Sequence, residues 1–413
     1  MSISPRIAIT GSGAVCGAGM TVEKIWAAVI GGQSAVTPIT LWDAERWPVK
    51  ITAGVNGVKN QELVEDRKLH KSISRTDLFG IYAGGEAIKS SGIPTHRETL
   101  DAAAVSLFND RSGLVVGSGG GAYSSNYEYL PLMTESGGDM RKFGAALGSA
   151  VNPMWLLKNL PNNVLCHVGI RHMFKGTNAC ITNQCAGGVL AVAEAAESLR
   201  TDEADRIAAV GHDTLLEPEA VLGYHKLGLL STDVLRPFDR ERTGTIFGEG
   251  GAAVMLGEFL GHGCVTEATG VVDLRPDGDG PARAIALALA DAKITAADVG
   301  MIVAHGNGTR ASDASEAKGI LRAFGGNPPP VTAFKWCVGH LFAASGILDL
   351  VLALEALRQG IVPGIATLDA VDAEFSTLPV SRDPQKPRSD IALVICRGFG
   401  GMNVALIVRA AKA

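Results

Sequence analysis

Apolar residues in this chain fall into short unbroken runs that end in glycine and longer runs spaced as on one face of a helix. Residues 6–15 read as a buried strand entering a Gly-Ser-Gly turn, followed by helical spacing over 22–30. A second strand, 113–117, runs into Gly117-Ser118-Gly119-Gly120-Gly121, and a third, 206–210, ends at Gly211-His212. Between them, 186–199 is an alanine-rich helix entered through Asn183-Gln184-Cys185. The remainder repeats this order. Helical spacing over 282–292 precedes a strand over 299–304 that ends in His305-Gly306-Asn307-Gly308; Gly339-His340 then opens an apolar helix to about 357, and a strand over 390–396 ends in Gly398-Phe399-Gly400-Gly401. Two parts with one grammar predict an internal duplication into residues 1–250 and 251–413, with the junction between Glu249 and Glu258. Facing strand ends and helix starts would make a layered α/β core with the site between the halves.

Composition narrows the functions this core can serve. Apolar residues are 46% of the 413, charged residues 19%, and the formal charge is −5, which excludes a disordered acidic tail and makes nucleic acid a poor partner. Glycine, at 51 residues, stands well above the usual ~7%, which points to tight turns and close backbone approach around a site. The seven cysteines include no CxxC pair, the N-terminus lacks a charged-then-apolar leader, and no apolar run approaches the ~20 residues that cross a bilayer. The expectation is a reduced, cytoplasmic protein without a membrane span.

Gly11-Ser12-Gly13-Ala14-Val15-Cys16-Gly17 looks like a dinucleotide loop, but its third glycine comes one position late and no strand-end acid follows, so a nucleotide site is not expected. The run from Gly117 to Gly121 serves backbone packing as readily as a ligand. Cys185 is different. It precedes a helix whose free N–H groups and dipole favour an anion, and bringing a thiol of ordinary pKa to half ionisation at neutral pH takes only roughly 2 kcal/mol. A buried structural cysteine is the alternative; Cys16, Cys166, Cys180, Cys264 and Cys337 are read that way. His305 after a strand and His340 at a helix start each sit beside glycine, and cysteine with histidine serves nucleophilic chemistry on acyl groups. No cysteine and histidine set has zinc-ligand spacing, so no metal is expected.

Together these segments resemble the elongating β-ketoacyl-acyl carrier protein synthases of the thiolase-like superfamily. The resemblance rests on Ile9-Thr10-Gly11, Cys185, Arg236-Pro237-Phe238-Asp239, Gly248-Glu249-Gly250, His305-Gly306-Asn307-Gly308-Thr309, Asp313, Glu316, Lys335, His340 and Gly398-Phe399-Gly400-Gly401. It implies a duplicated five-layer α-β-α-β-α core and a homodimer paired across a strand near residues 177–184. It also implies decarboxylative condensation of a Cys185-bound acyl chain with malonyl-acyl carrier protein, without cofactor. By that resemblance His305 and His340 stabilise the enolate, Lys335 orients His305 in a network with Glu316, and Asp313 supports the site. The backbone N–H groups of Cys185 and Phe399 form a second oxyanion hole, with Phe399 as gate. Asn307 and Thr309 bind the phosphopantetheine arm, and Lys68, Lys71 and Arg75 form the basic patch for an acidic carrier protein.

Asn183-Gln184, Asn307, Trp336 and Met402 depart from the family pattern. With Phe342, and with a loop at Gly119-Gly120-Gly121 that lacks a bulky gating side chain, they point to an atypical acyl chain in a specialised lipid or polyketide pathway. Two other functions stay open. Cys396 before a glycine turn suits a thiolase, although His305 argues against it, and a chain-length partner of a heterodimeric synthase would have little use for Cys185.

Overall fold

A computed structural model of the chain describes residues 9–119, 129–150, 152–256 and 259–410. One five-stranded sheet holds β1 (Gly11–Cys16), β2 (Ser112–Ser118), β3 (Asn178–Thr182), β4 (Arg206–Asp213) and β5 (Gly250–Met255), in the spatial order β3-β2-β4-β5-β1. A second holds β6 (Phe259–Thr266), β7 (Met301–Val303), β8 (Val331–Thr332), β9 (Ile391–Gly398) and β10 (Met402–Arg409), in the order β8-β7-β9-β10-β6. Both sheets thus follow one scheme, third-second-fourth-fifth-first, and in both the first two pairings are parallel and the last two antiparallel. The duplication expected from the sequence is therefore a repeated topology. Because β5 pairs with β1 and β4, the chain passes to the second sheet between Met255 and Phe259, a few residues beyond 250.

Five helices complete the layers: α1 (Arg75–Ser90), α2 (Gly187–Arg200), α3 (Asp279–Ala292), α4 (Arg310–Ala323) and α5 (Ser345–Gln359). Helix α1 covers the outer face of the first sheet, and α3, backed by α4, covers that of the second. Helices α2 and α5 lie between the sheets. That position explains the composition of α5, which buries Ile347, Leu348, Leu350, Val351, Leu352 and Ala353 around most of its circumference. The result is the α-β-α-β-α stack. No described helix is long and apolar enough to cross a membrane.

Glycine sets the spacing of the central layer. A Cβ on Gly117, in β2, would stand 2.1 Å from the carbonyl oxygen of Gly187, the first residue of α2. Gly117→Ala is expected to destabilise the fold by about 1–3 kcal/mol through overpacking and to displace the helix behind Cys185; chemical denaturation together with acylation rate checks both effects. Gly120 and Gly121 lie outside the described residues, as do residues 6–8 of the first expected strand and Gly257 and Glu258 at the junction. Gly11 and Gly13 are not a loop but part of β1. A Cβ at either would stand 2.3 Å from a carbonyl oxygen of α1, so they serve strand-helix packing.

Candidate active site

Cys185 stands in the turn between β3 and α2, where Asn183 N–H donates to the Ser118 carbonyl at 3.2 Å and ties the turn to the end of β2. Its position ahead of a helix is as expected; its ionisation is not. The side chain is buried in a cluster with Leu215, Leu216, Phe247 and Phe342. Burial first, then the Asp213 carboxylate, push the thiol up to about 12, with the Lys335 charge opposing. The helix terminus contributes about 0.3–1 kcal/mol, up to ~2, which desolvation of this size exceeds. Cys185 therefore rests as a thiol, and the lowered pKa expected from the helix is reversed. Asp213 is itself pushed up to about 8 by burial, so near neutral pH its carboxyl is mostly uncharged.

His305 follows β7, and the carboxylates of α4 hold its loop by the backbone. Glu316 accepts the N–H groups of His305 and Gly306 at 2.7 and 3.0 Å, and Asp313 accepts those of Gly308 and Phe238 at 3.1 and 2.8 Å. His340 does not open a helix, contrary to expectation. It lies in a loop, with a 3-10 turn at Phe342–Ala344 and α5 starting only at Ser345, because Gly339 and Phe342 take positive φ and break the helical path. Nδ1 of His305 accepts Arg397 N–H at 3.3 Å and Nδ1 of His340 accepts Phe342 N–H at 3.1 Å. A backbone N–H can only donate, so both neutral rings carry their proton on Nε2. The rings meet edge to face, 5.2 Å between centroids. Burial, then the Lys335 charge, holds both well below the ordinary histidine value.

Lys335 corrects a third expectation. Its Nζ donates to Asp349 Oδ2 at 3.0 Å, not to Glu316, and both side chains are buried. Burial works against the ammonium charge, and the Asp349 carboxylate, together with Cys396 and Glu316, more than offsets it. Lys335 acts on His305 and His340 through its field, while the carboxylate of Glu316 is taken up by backbone N–H groups. Sequence reasoning missed Asp349, although a lone carboxylate within the apolar run of α5 was a usable signal.

Cys185, His305, His340, Phe342 and Phe399 line one cavity of about 90 Å³, room for roughly three waters. Phe399 occupies a 3-10 turn between β9 and β10, its ring 5.5 Å from that of Tyr224, and Gly400 beside it has φ 73°. A Cβ on Gly398 would lie 3.5 Å from Ala186 N, so this turn sits against the Cys185 turn. Asn307 and Thr309 line the same cavity and bond each other, Thr309 Oγ1 donating to Asn307 Oδ1 at 2.9 Å. Met402 lines it as well. Phe342 stacks on His340 at 4.7 Å and 12°, whereas Trp336 is buried in the hydrophobic core and does not line the cavity, which corrects its expected part in shaping an atypical acyl site. Gln184 accepts the Tyr224 hydroxyl at 2.9 Å.

Of the expected basic patch, Lys68 and Lys71 are exposed, but Arg75 is committed elsewhere. Its Nε donates to the fully buried Glu249 at 2.8 Å and its Nη2 to the Val55 carbonyl at 2.9 Å, so Arg75 is a structural cation. The pairing strand expected near 177–184 is β3, at an edge of the first sheet.

A repeated sheet topology, a cysteine ahead of one central helix and two imidazoles from the other repeat define a condensing enzyme of the thiolase-like class. The chain belongs to the β-ketoacyl synthase family: it matches that family's N-terminal domain over residues 4–259 and its C-terminal domain over 256–369. It is 28% identical to 3-oxoacyl-[acyl-carrier-protein] synthase 2 of Vibrio cholerae serotype O1, over 98% of this chain and 99% of that one. It is 29% identical to the tetracenomycin polyketide synthase ketoacyl synthase beta subunit of Streptomyces glaucescens, over 99% of both. The crystal structure of a β-ketoacyl synthase from Burkholderia phymatum STM815 superposes with a TM-score of 0.86 at 25% identity, covering 98% of this chain and all of the other.

Proposed function

We propose that the chain condenses an acyl group carried on Cys185 with a malonyl group presented by an acyl carrier protein. The observation that carries this reading is the pair of Nε2–H donors on His305 and His340, which line one cavity with Cys185. Cys185 attacks an acyl thioester, forming the acyl-cysteine and releasing the carrier thiol with the proton. The malonyl thioester then enters with its carbonyl oxygen between the two imidazoles. Its bond to the carboxylate breaks, carbon dioxide departs, and the electron pair moves onto the oxygen that both Nε2–H groups stabilise. The enolate carbon attacks the acyl-cysteine carbonyl, whose oxygen takes N–H groups of Cys185 and Phe399, and the sulfur leaves as a thiolate that takes a proton from solvent. At about 90 Å³ the cavity is too small for an acyl chain, and a swing of Phe399 on Gly400 enlarges it for the substrate.

The carrier protein docks near Lys68 and Lys71, its arm held by Asn307 and Thr309. Two copies pair through β3, with a related partner subunit as the alternative assembly that the beta-subunit relative suggests. Phe342, against both His340 and Cys185, is the residue that would give the site an unusual acyl preference. Cys396 does not favour a thiolase reading. Its Sγ donates to the Cys185 carbonyl at 3.2 Å, and it does not line the cavity.

Intact-mass analysis after incubation with a panel of acyl carrier proteins is expected to place an acyl adduct on Cys185, and Cys185→Ser is expected to abolish it. A thiol held at about 12 gains thiolate tenfold per pH unit below that value, so adduct formation should accelerate from pH 7 to 9. An adduct that survives in Cys185→Ser, or no carbon dioxide from malonyl carrier protein with the wild type, overturns the proposal.

A further inference from the structure

We infer that Ser345 is a positioning residue for His340, an inference that rests on the oxyanion role proposed above. Ser345 is the first residue of α5 and is buried. Its Oγ accepts Leu341 N–H at 2.9 Å and lies 3.1 Å from His340 Nδ1. Donor and acceptor bookkeeping settles the direction of the second contact. A hydroxyl has one proton and two lone pairs, and the Leu341 N–H takes one lone pair. Nδ1 already accepts the Phe342 N–H, so it carries no proton of its own. The Ser345 hydroxyl is then the donor, and the single lone pair of Nδ1 is shared between two donors.

The backbone makes this convergence possible. Phe342 takes a left-handed conformation, φ 49°, which keeps the chain after His340 out of a helix, and the 3-10 turn at Phe342–Ala344 then brings the Ser345 hydroxyl alongside the ring. The stacked Phe342 ring covers one face of the imidazole. Two donors on Nδ1 leave Nε2 as the protonated edge and resist rotation of the ring about its Cβ–Cγ bond. Ser345 touches no reacting atom; it acts through His340. A purely structural reading would confine Ser345 to the Leu341 N–H, as a tie that closes the turn.

The two readings separate in ¹⁵N-histidine-labelled protein, with His340 assigned by its absence in His340→Asn. In Ser345→Ala the Nδ1 resonance is expected to move downfield as it loses a donor, and in Ser345→Cys, whose S–H donates weakly, by an intermediate amount. Malonyl decarboxylation by Ser345→Ala should fall in kcat by roughly 2- to 10-fold, the worth of one neutral hydrogen bond, with KM for the malonyl carrier within twofold. An unmoved Nδ1 resonance, or a loss confined to KM, overturns the assignment. Should neither variant fold, the wild-type spectrum decides, because a proton on Nδ1 of His340 excludes the inferred pair of donors. If the wild type released no carbon dioxide, the proposed reaction would fail while the nitrogen resonance still reported on Ser345.

Discussion

Replacing His305 or His340 with alanine is expected to slow carbon dioxide release from malonyl carrier protein by about 10²–10³-fold, the usual cost of one oxyanion donor. The magnitude follows from the site's electrostatics. Both rings are buried and neutral, each Nδ1 is taken by a backbone N–H, and each Nε2–H is oriented before the substrate arrives. A preorganised donor in a water-poor cavity is not replaced by solvent when removed. Cys185 belongs to the other repeat, so acylation should survive in both variants, and the double variant should lose less than the product of the two single losses. Intact-mass analysis and release of labelled carbon dioxide measure the two half-reactions separately. Carbon dioxide release within tenfold of the wild type in either single variant would remove the imidazole pair from the mechanism.

Asp349→Ala is expected to destabilise the protein by about 3–5 kcal/mol, because it strands a buried ammonium. Lys335 is 1% exposed and its Nζ pairs with the Asp349 carboxylate at 3.0 Å. Removing both charges together, as Lys335→Met with Asp349→Leu, should recover most of that stability, since a buried ion pair gives little net stabilisation over an apolar pair. The share that the Lys335 charge adds to burial in holding both histidines neutral would be lost with it. Chemical denaturation tests the first part, and a double variant no more stable than Asp349→Ala would contradict it.

Much of this layout was legible from local pattern. Glycine after each strand and a reactive side chain at each strand end or helix entry located Cys185, His305 and Phe399, and the repeated grammar became the same strand order in both sheets. Contacts between distant segments were not legible. Nothing local tells that Arg75 spends its charge on Glu249, 174 positions away. The same blindness misjudged Cys185: the helix terminus beside it is a local feature, whereas the Leu215, Phe247 and Phe342 side chains that desolvate it arrive from elsewhere. Trp336 was misplaced because its position beside Lys335 says nothing of which way a short helical turn points its side chains. Asp349 needed only the question of why an acid interrupts an otherwise greasy helix.

One dimension of the fold carries a wider consequence. Helix α2 approaches the 3-10 turn ahead of α5 so closely that a Cβ on Gly188 would stand 2.2 Å from the Ala343 carbonyl oxygen. Sulfur sits on one side of that contact and nitrogen donors on the other. In the proposed reaction the reach between Cys185 and the enolate is gauged by the thickness of a glycine seam. Drift on the outer faces can diversify partners and cargo without touching the chemistry, but any bulk added at the seam pries the two reactants apart.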